Sequence, residues 1–134
     1  VDVAQQVAPL AQTWRQQAEV LTQQNERLRA EIKRLRATRT YEVTAYTSGY
    51  ESTQKHAGDE GYGITASGTK ASEGRTVACP QSITFGTRLN IEGIGVRICE
   101  DRGGAITEGH LDVYFNSVAD AQSFGRQFRK AEIK

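Results

Sequence analysis

Two aspartates, Asp101 and Asp112, stand on either side of a glycine-rich turn in the segment Glu100-Asp101-Arg102-Gly103-Gly104-Ala105-Ile106-Thr107-Glu108-Gly109-His110-Leu111-Asp112-Val113-Tyr114-Phe115. A carboxyl beside a turn, backed by a second one, can give and take a proton at a reacting oxygen, which is general acid–base chemistry. In an extended stretch over residues 111–115, side chains alternate between two faces. Leu111, Val113 and Phe115 then point one way, and Asp112 and Tyr114 the other. The pattern predicts a carboxylate and an aromatic ring in one solvent-side groove, backed by an apolar layer.

Other reactive residue types are sparse. His56 and His110 have no third ligand at metal spacing, so neither a catalytic metal nor a cofactor is expected, and His110, next to Leu111, reads as a turn residue. Cys79 and Cys99 are too few for a disulfide scaffold and lack the clustering of a structural zinc site. On cysteines alone the redox compartment stays open.

The elements that must position these residues divide near residue 40. Residues 1–40 contain no glycine, whereas all 13 glycines fall between Gly49 and Gly125. Residues 1–40 carry seven basic and four acidic residues, the remainder ten and twelve, so a net charge of +1 combines a basic helix with a slightly acidic domain. Neither part has the dense basic face of a nucleic-acid binder. No stretch approaches the ~20 apolar residues of a membrane span, and no signal peptide is visible. The chain starts at Val1 and contains no methionine, so a trimmed or processed chain is expected, and any anchor or export signal would lie upstream of Val1.

Within residues 1–40, Val7, Trp14, Leu21, Leu28 and Leu35 recur every seven residues, and Ala4, Ala11, Ala18, Asn25 and Ile32 fill the complementary seam. This is a coiled-coil register, with Pro9 expected near the helix start. Asn25 at an a position favours two parallel strands, and Glu31 and Arg36 at g and e would attract across such a dimer. A homodimer through residues 10–36 is therefore expected, against a lone amphipathic helix packing on its own domain.

Beyond residue 40 the chain reads as mainly β. Candidate strands cover residues 41–46, 74–78, 87–91, 95–99 and 111–115, each bounded by Gly, Ser, Thr or Asn. Five or six short strands in about 90 residues suit a small closed barrel better than an open sheet. A helix over 118–128, capped by Ser117 and with Arg126, Arg129 and Lys130 near its end, completes the pattern. The long polar stretch 47–66 is expected to be a functional or mobile loop, placed to flap over the groove.

Five ordered motifs in residues 41–128 resemble the 3D (three-aspartate) domain family, which is related to the catalytic domain of membrane-bound lytic transglycosylase A. They are Thr44-Ala45-Tyr46-Thr47; Gly63-Ile64-Thr65-Ala66-Ser67-Gly68-Thr69; Phe85-Gly86-Thr87 with Ile91-Glu92-Gly93-Ile94-Gly95; Glu100 to Ile106; and Leu111 to Phe115. The resemblance implies a small double-psi β-barrel over 41–134, preceded by the helical segment 1–40. It also implies peptidoglycan as the partner and an extracellular or cell-wall location, in a membrane-anchored or phage-associated protein. Two of the family's aspartates match Asp101 and Asp112. The first falls on Cys79-Pro80, where a thiol cannot reproduce a carboxylate's charge. Cys79 pairing with Cys99, or remaining a free buried thiol, are both compatible with the resemblance.

By that resemblance the reaction is lytic cleavage of the MurNAc-GlcNAc β-1,4 bond with formation of 1,6-anhydro-MurNAc. One carboxyl, Asp112, serves as acid and then base, with Asp101 as the supporting carboxylate. Tyr46, Thr65, Ser67 and Tyr114 offer a ring and hydroxyls for sugar binding. The alternative is a non-catalytic or weakly active peptidoglycan-binding module, motivated by Cys79 at the missing aspartate.

Overall fold

The computed structural model describes residues 3–134, and the chain divides into two compact units, Val1–Arg36 and Ala37–Lys134. The first is a single helix, α1 (Val3–Ala37), which runs through Pro9 rather than beginning near it. Proline at that point removes one backbone donor from the helix's own hydrogen bonds, and the Thr13 hydroxyl donates to the Pro9 carbonyl at 3.0 Å. The seam residues Val7, Trp14, Leu21, Leu28 and Leu35 are each at least 51% exposed, so the apolar stripe is unburied. Among the described residues no helix is long and apolar enough to cross a membrane.

The second unit is a closed barrel of six strands: β1 (Thr38–Tyr46), β2 (Thr76–Ala78), β3 (Arg88–Ile91), β4 (Gly95–Asp101), β5 (His110–Tyr114) and β6 (Gln127–Ile133). Around the barrel the order is β1-β5-β2-β4-β3-β6. The β1–β5 and β2–β4 pairs are parallel and the other four antiparallel. Period-two alternation sends Tyr41 and Val43 of β1, Val77 of β2, Leu89 and Ile91 of β3, and Leu111 and Val113 of β5 into one core. Closure leaves no strand edge unpaired, which a unit this small otherwise has to protect.

Two sequence expectations are corrected here. Strand β1 begins at Thr38, so residues 38–40 belong to the barrel rather than to the helical segment. The expected helix over 118–128 is shorter: α3 (Val118–Phe124) is capped by the Ser117 hydroxyl, which accepts from the Asp120 N–H at 3.3 Å, and it stops at Gly125, whose φ is +63°. Arg129 and Lys130 then lie in β6 and Arg126 just before it, not in a helix end. Strand β6 pairs with both β1 and β3, and its Ala131 is fully buried. Without it the barrel would stay open between those strands, and this pairing overrides the local helical pattern.

Between β1 and β2 the chain makes a long excursion containing the short helix α2 (Tyr50–Thr53) and an isolated bridge between Ile64 and Lys70. Between β4 and β5 it makes the glycine-rich turn. There Gly109 has φ +81°, a left-handed conformation costly for other residues, which lets the turn reverse into His110.

Cys79 and Cys99 form a disulfide with Cα atoms 5.8 Å apart, both fully buried. The Arg102 guanidinium lies against it: Nη1 is 2.7 Å and 2.9 Å from the two sulfurs, Nη2 donates to the Ile83 carbonyl at 2.5 Å, and the Phe85 ring lies 4.1 Å from the guanidinium carbon. The bridge and the arginine tie the segment after β2 to the end of β4. Because the disulfide joins residues 20 apart, its reduction should cost about 3 kcal/mol by removing loop-closure entropy from the unfolded chain. Urea unfolding with and without reductant measures this; coincident midpoints would contradict it.

Candidate active site

Strand register assembles the site. Thr44 of β1 lies opposite Asp112 of β5, Asp112 opposite Ala78 of β2, and Ala78 opposite Asp101 of β4. These four residues form one row across four adjacent strands. With strands spaced by about 4.8 Å, the backbones carrying the two aspartates stand roughly 10 Å apart. The alternation that buries Leu111 and Val113 turns His110 and Asp112 to the outer face of the barrel. Asp101, Asp112 and the small Ala78 between them line a single groove, joined there by Tyr46. The excursion after β1 contributes Ser52, Lys55 and Ile64 to its wall, and the glycine-rich turn contributes Gly103, Gly104 and Ala105.

Burial raises the pKa of Asp112 above the ordinary carboxylate value. The Thr44 hydrogen bond and the nearby His110 oppose the shift, and Asp101 adds to it. Thr44 Oγ1 lies 2.9 Å from Asp112 Oδ1 and 2.7 Å from His110 Nε2, and His110 Nδ1 lies 3.1 Å from the Ala105 carbonyl. Among the described residues none bonds Asp112 Oδ2, the oxygen left for a groove ligand.

Asp101 is held differently. The Tyr46 hydroxyl donates to Oδ2 at 2.7 Å, and the backbone N–H groups of Ala66 and Arg102 donate to Oδ1, each at 2.9 Å. Burial and the adjoining Asp101 carboxylate push the Tyr46 phenol far above its usual range, so Tyr46 acts as a donor. The two aspartates therefore have distinct environments: one fastened by three donors, one half-buried and inclined to keep its proton.

Of the four residues expected to bind sugar, Tyr46 lines the groove and Thr65, Ser67 and Tyr114 do not. Tyr114 is buried, stacks edge-on against Tyr46 with ring centroids 5.5 Å apart, and accepts from the Ser48 hydroxyl at 3.1 Å. The Thr65 hydroxyl is buried and bonded to Ser67 Oγ at 3.0 Å and Thr69 Oγ1 at 2.7 Å. That small knot sets the turn whose Ala66 N–H holds Asp101; neither Thr65 nor Ser67 lines the groove. Cys79 faces the core. His110, expected in a turn, opens β5 instead, two residues from Asp112 on the same face. Carrying the period-two pattern of residues 111–115 one step back would have placed it there. Thr44 stands in the Thr44-Ala45-Tyr46-Thr47 motif, where no local signal marks it as a partner of Asp112. Among the described residues no group of three or more His, Cys, Asp or Glu side chains converges as a metal cluster would require.

The raised Asp112 carboxyl has a consequence for stability. Below the unfolded-chain value, folded and unfolded states both hold the proton and the site is neutral to folding. As pH rises through the higher folded value, the folded protein must ionise a half-buried group and loses stability. Asp112→Asn should therefore melt at a higher temperature than wild type at neutral pH, and the gap should close as pH falls toward the ordinary value of 3.8. A gap that widens on acidification would contradict the assignment.

Comparison with known proteins gives a family match over part of the chain. Among solved structures, the chain is similar to the crystal structure of MltA from Escherichia coli (22% identity, TM-score 0.45, covering 52% of this chain and 26% of the other). It is similar also to a variant of the E. coli lytic transglycosylase MltA in an apo form (22% identity, TM-score 0.47, 53% and 27%). The chain thus spans about a quarter of the length of these structures. No curated protein matches it. Residues 75–134, which carry β2 to β6 and both aspartates, match the 3D domain.

Proposed function

We propose that the barrel unit is a peptidoglycan lytic transglycosylase that cleaves the MurNAc-GlcNAc β-1,4 bond and leaves 1,6-anhydro-MurNAc. The observation that carries this reading is the half-buried carboxyl of Asp112, its pKa raised by burial and its Oδ2 free, in a groove also lined by the firmly held Asp101. The 3D-domain match over the strands that bear both residues supports it. Protonated Asp112 donates to the glycosidic oxygen as the bond breaks. The resulting carboxylate then removes the proton of the sugar's own 6-hydroxyl, whose oxygen closes on the anomeric carbon. Asp101, oriented by Tyr46 and two backbone donors, faces the positive charge that develops on the sugar ring. No water nucleophile enters this sequence, so the paired-carboxylate spacing of ordinary glycosidases does not constrain the site.

Cys79 bears on the alternative, a binding module without turnover. The resemblance marks that position for an aspartate, but here the side chain is buried in a disulfide and turned to the core. In our reading it serves stability, and two carboxylates suffice for the chemistry. The disulfide also supports a location outside the reducing cytosol, at the cell wall. The two parallel pairs, β1–β5 and β2–β4, on either side of the antiparallel β5–β2 pair support the double-psi reading of the barrel.

For α1 we propose a parallel homodimeric coiled coil through residues 10–36. The support is its exposed seven-residue seam with Asn25 at an a position.

Mass spectrometry of the soluble products from purified peptidoglycan tests the activity. Wild type should release anhydro-muropeptides and Asp112→Asn none, whereas reducing-end products would mean hydrolysis. Wall binding without products would favour the binding module. For the helix, sedimentation at tens of micromolar should give a dimer that Leu21→Glu with Leu28→Glu converts to a monomer; a monomeric wild type would refute the coiled coil.

A further inference from the structure

The contacts around Asp112 constrain where its protons can sit. Asp112 Oδ1, Thr44 Oγ1, His110 Nε2, His110 Nδ1 and the Ala105 carbonyl form a continuous chain, with separations of 2.9 Å, 2.7 Å and 3.1 Å across its three hydrogen bonds. A carbonyl only accepts, so Nδ1 carries a hydrogen. Threonine has a single hydroxyl proton and can donate to one neighbour at a time. If Thr44 donates to Asp112 Oδ1, then Nε2 must also carry a hydrogen, and an imidazolium faces a carboxyl that is either ionised or carries a proton on Oδ2. If Thr44 donates to Nε2, then Asp112 must be protonated on Oδ1 and donates to Thr44. With a proton on Oδ2 the first arrangement holds one more; otherwise both hold the same number of protons. With one fewer, either Thr44 or Ala105 faces a lone pair where a donor is required.

We propose that Thr44 and His110 form a proton-sharing relay with Asp112, in which the Thr44 hydroxyl donates to whichever partner lacks the proton, making both of them positioning residues for Asp112. This rests on the acid–base role proposed above. The exchange is balanced: His110 Nε2 gives its hydrogen to Thr44 Oγ1 as Thr44 gives its own to Asp112 Oδ1, turning the ion pair into a neutral pair. When Asp112 gives a proton from Oδ2 to the leaving oxygen, Thr44 already donates to Oδ1 and His110 Nε2 to Thr44, so the new carboxylate is left in the ion pair, which the exchange can turn into the neutral pair. When Oδ2 takes the proton of the 6-hydroxyl from the ion pair, the starting arrangement returns. Thr44 lies on β1, outside the segment that matches the 3D domain.

Other charges near the trio have partners of their own. Glu42, opposite His110 in register, is paired with Arg126. Glu108, in the turn before His110, bonds Arg39 at 3.1 Å and also Ser82. Asp101 accepts from Tyr46, Ala66 and Arg102. That leaves Asp112 and His110 as the two groups that share a proton through Thr44.

The test is NMR of the full-length protein, following the His110 ring nitrogens and the Asp112 carboxyl carbon through a pH titration of wild type, Thr44→Val, Thr44→Ser and Asp112→Asn. The relay predicts that in wild type the shared proton leaves in one step seen at both side chains. Thr44→Val should split it into two independent steps, and Thr44→Ser should restore the single step. Identical His110 titrations in wild type and Asp112→Asn would overturn the relay, and that arm stands even if a Thr44 variant fails to fold. In turnover on peptidoglycan, Thr44→Val should lower kcat roughly tenfold, the worth of one hydrogen bond to a charged group, with KM little changed and Thr44→Ser near wild type. Unchanged kcat in Thr44→Val would also overturn it. A coupled titration in a wild type that makes no anhydro product would uphold the relay and remove the transglycosylase assignment instead.

Discussion

Register between β1, β5, β2 and β4 is the constraint on which the rest of the structure depends. Because side chains alternate with period two, a one-residue slip of β1, β5 or β2 would turn its member of the row into the core and an apolar residue into the groove. The core opposes the slip. Val43, Leu111, Val113 and Val77 are all fully buried and occupy the alternate positions of the same strands, so the interaction that stabilises the barrel also aligns Thr44, Asp112 and Ala78 outside it. On β4, where Cys99 two residues earlier is in the core, a register shift against β2 brings Asp101 into the row. At the centre of the row, Ala78 keeps the groove floor low between the two carboxyls, where a larger side chain would stand between them.

The carboxyls differ because their surroundings do. Asp101 sits where β4 ends and the chain turns outward, so the N–H of the next residue and that of Ala66 both reach it. The disulfide and the Arg102 guanidinium hold that end of β4 against the segment after β2, which fixes the turn that begins there. Asp112 sits in mid-strand, where its own backbone groups are committed to neighbouring strands and only side chains can answer its oxygens. A mid-strand carboxyl with one hydroxyl partner is poised to exchange a proton; one with three donors is poised to stay in place.

Much of this was legible in the sequence where a short period meets a strong breaker. The strand over 111–115 and its buried Leu111 and Val113 follow from alternation, the break near residue 40 from the glycine distribution, and the cap at Ser117 from side-chain chemistry. Strand β6 was not legible. Its alternation puts Phe128 outside, 71% exposed, and small Ala131 inside, so the usual hydrophobic signal is inverted and only the need to close the barrel explains it. Groove membership was harder still. The hydroxyls of Thr65, Ser67 and Tyr114 suit sugar binding by type, yet turn formation and packing consume them. Thr44 and Asp112 meet only through a parallel pairing between segments more than 60 residues apart, which no local pattern encodes.

The most direct measurement is a crystal structure of Asp112→Asn soaked with a peptidoglycan fragment spanning a MurNAc-GlcNAc bond. The account predicts the fragment in the groove across Ala78, with the glycosidic oxygen within hydrogen-bond distance of the substituted side chain and the sugar ring facing Asp101. A fragment seated elsewhere on the barrel, or with its glycosidic bond turned away from residue 112, would contradict the claim that this row of residues is the catalytic site.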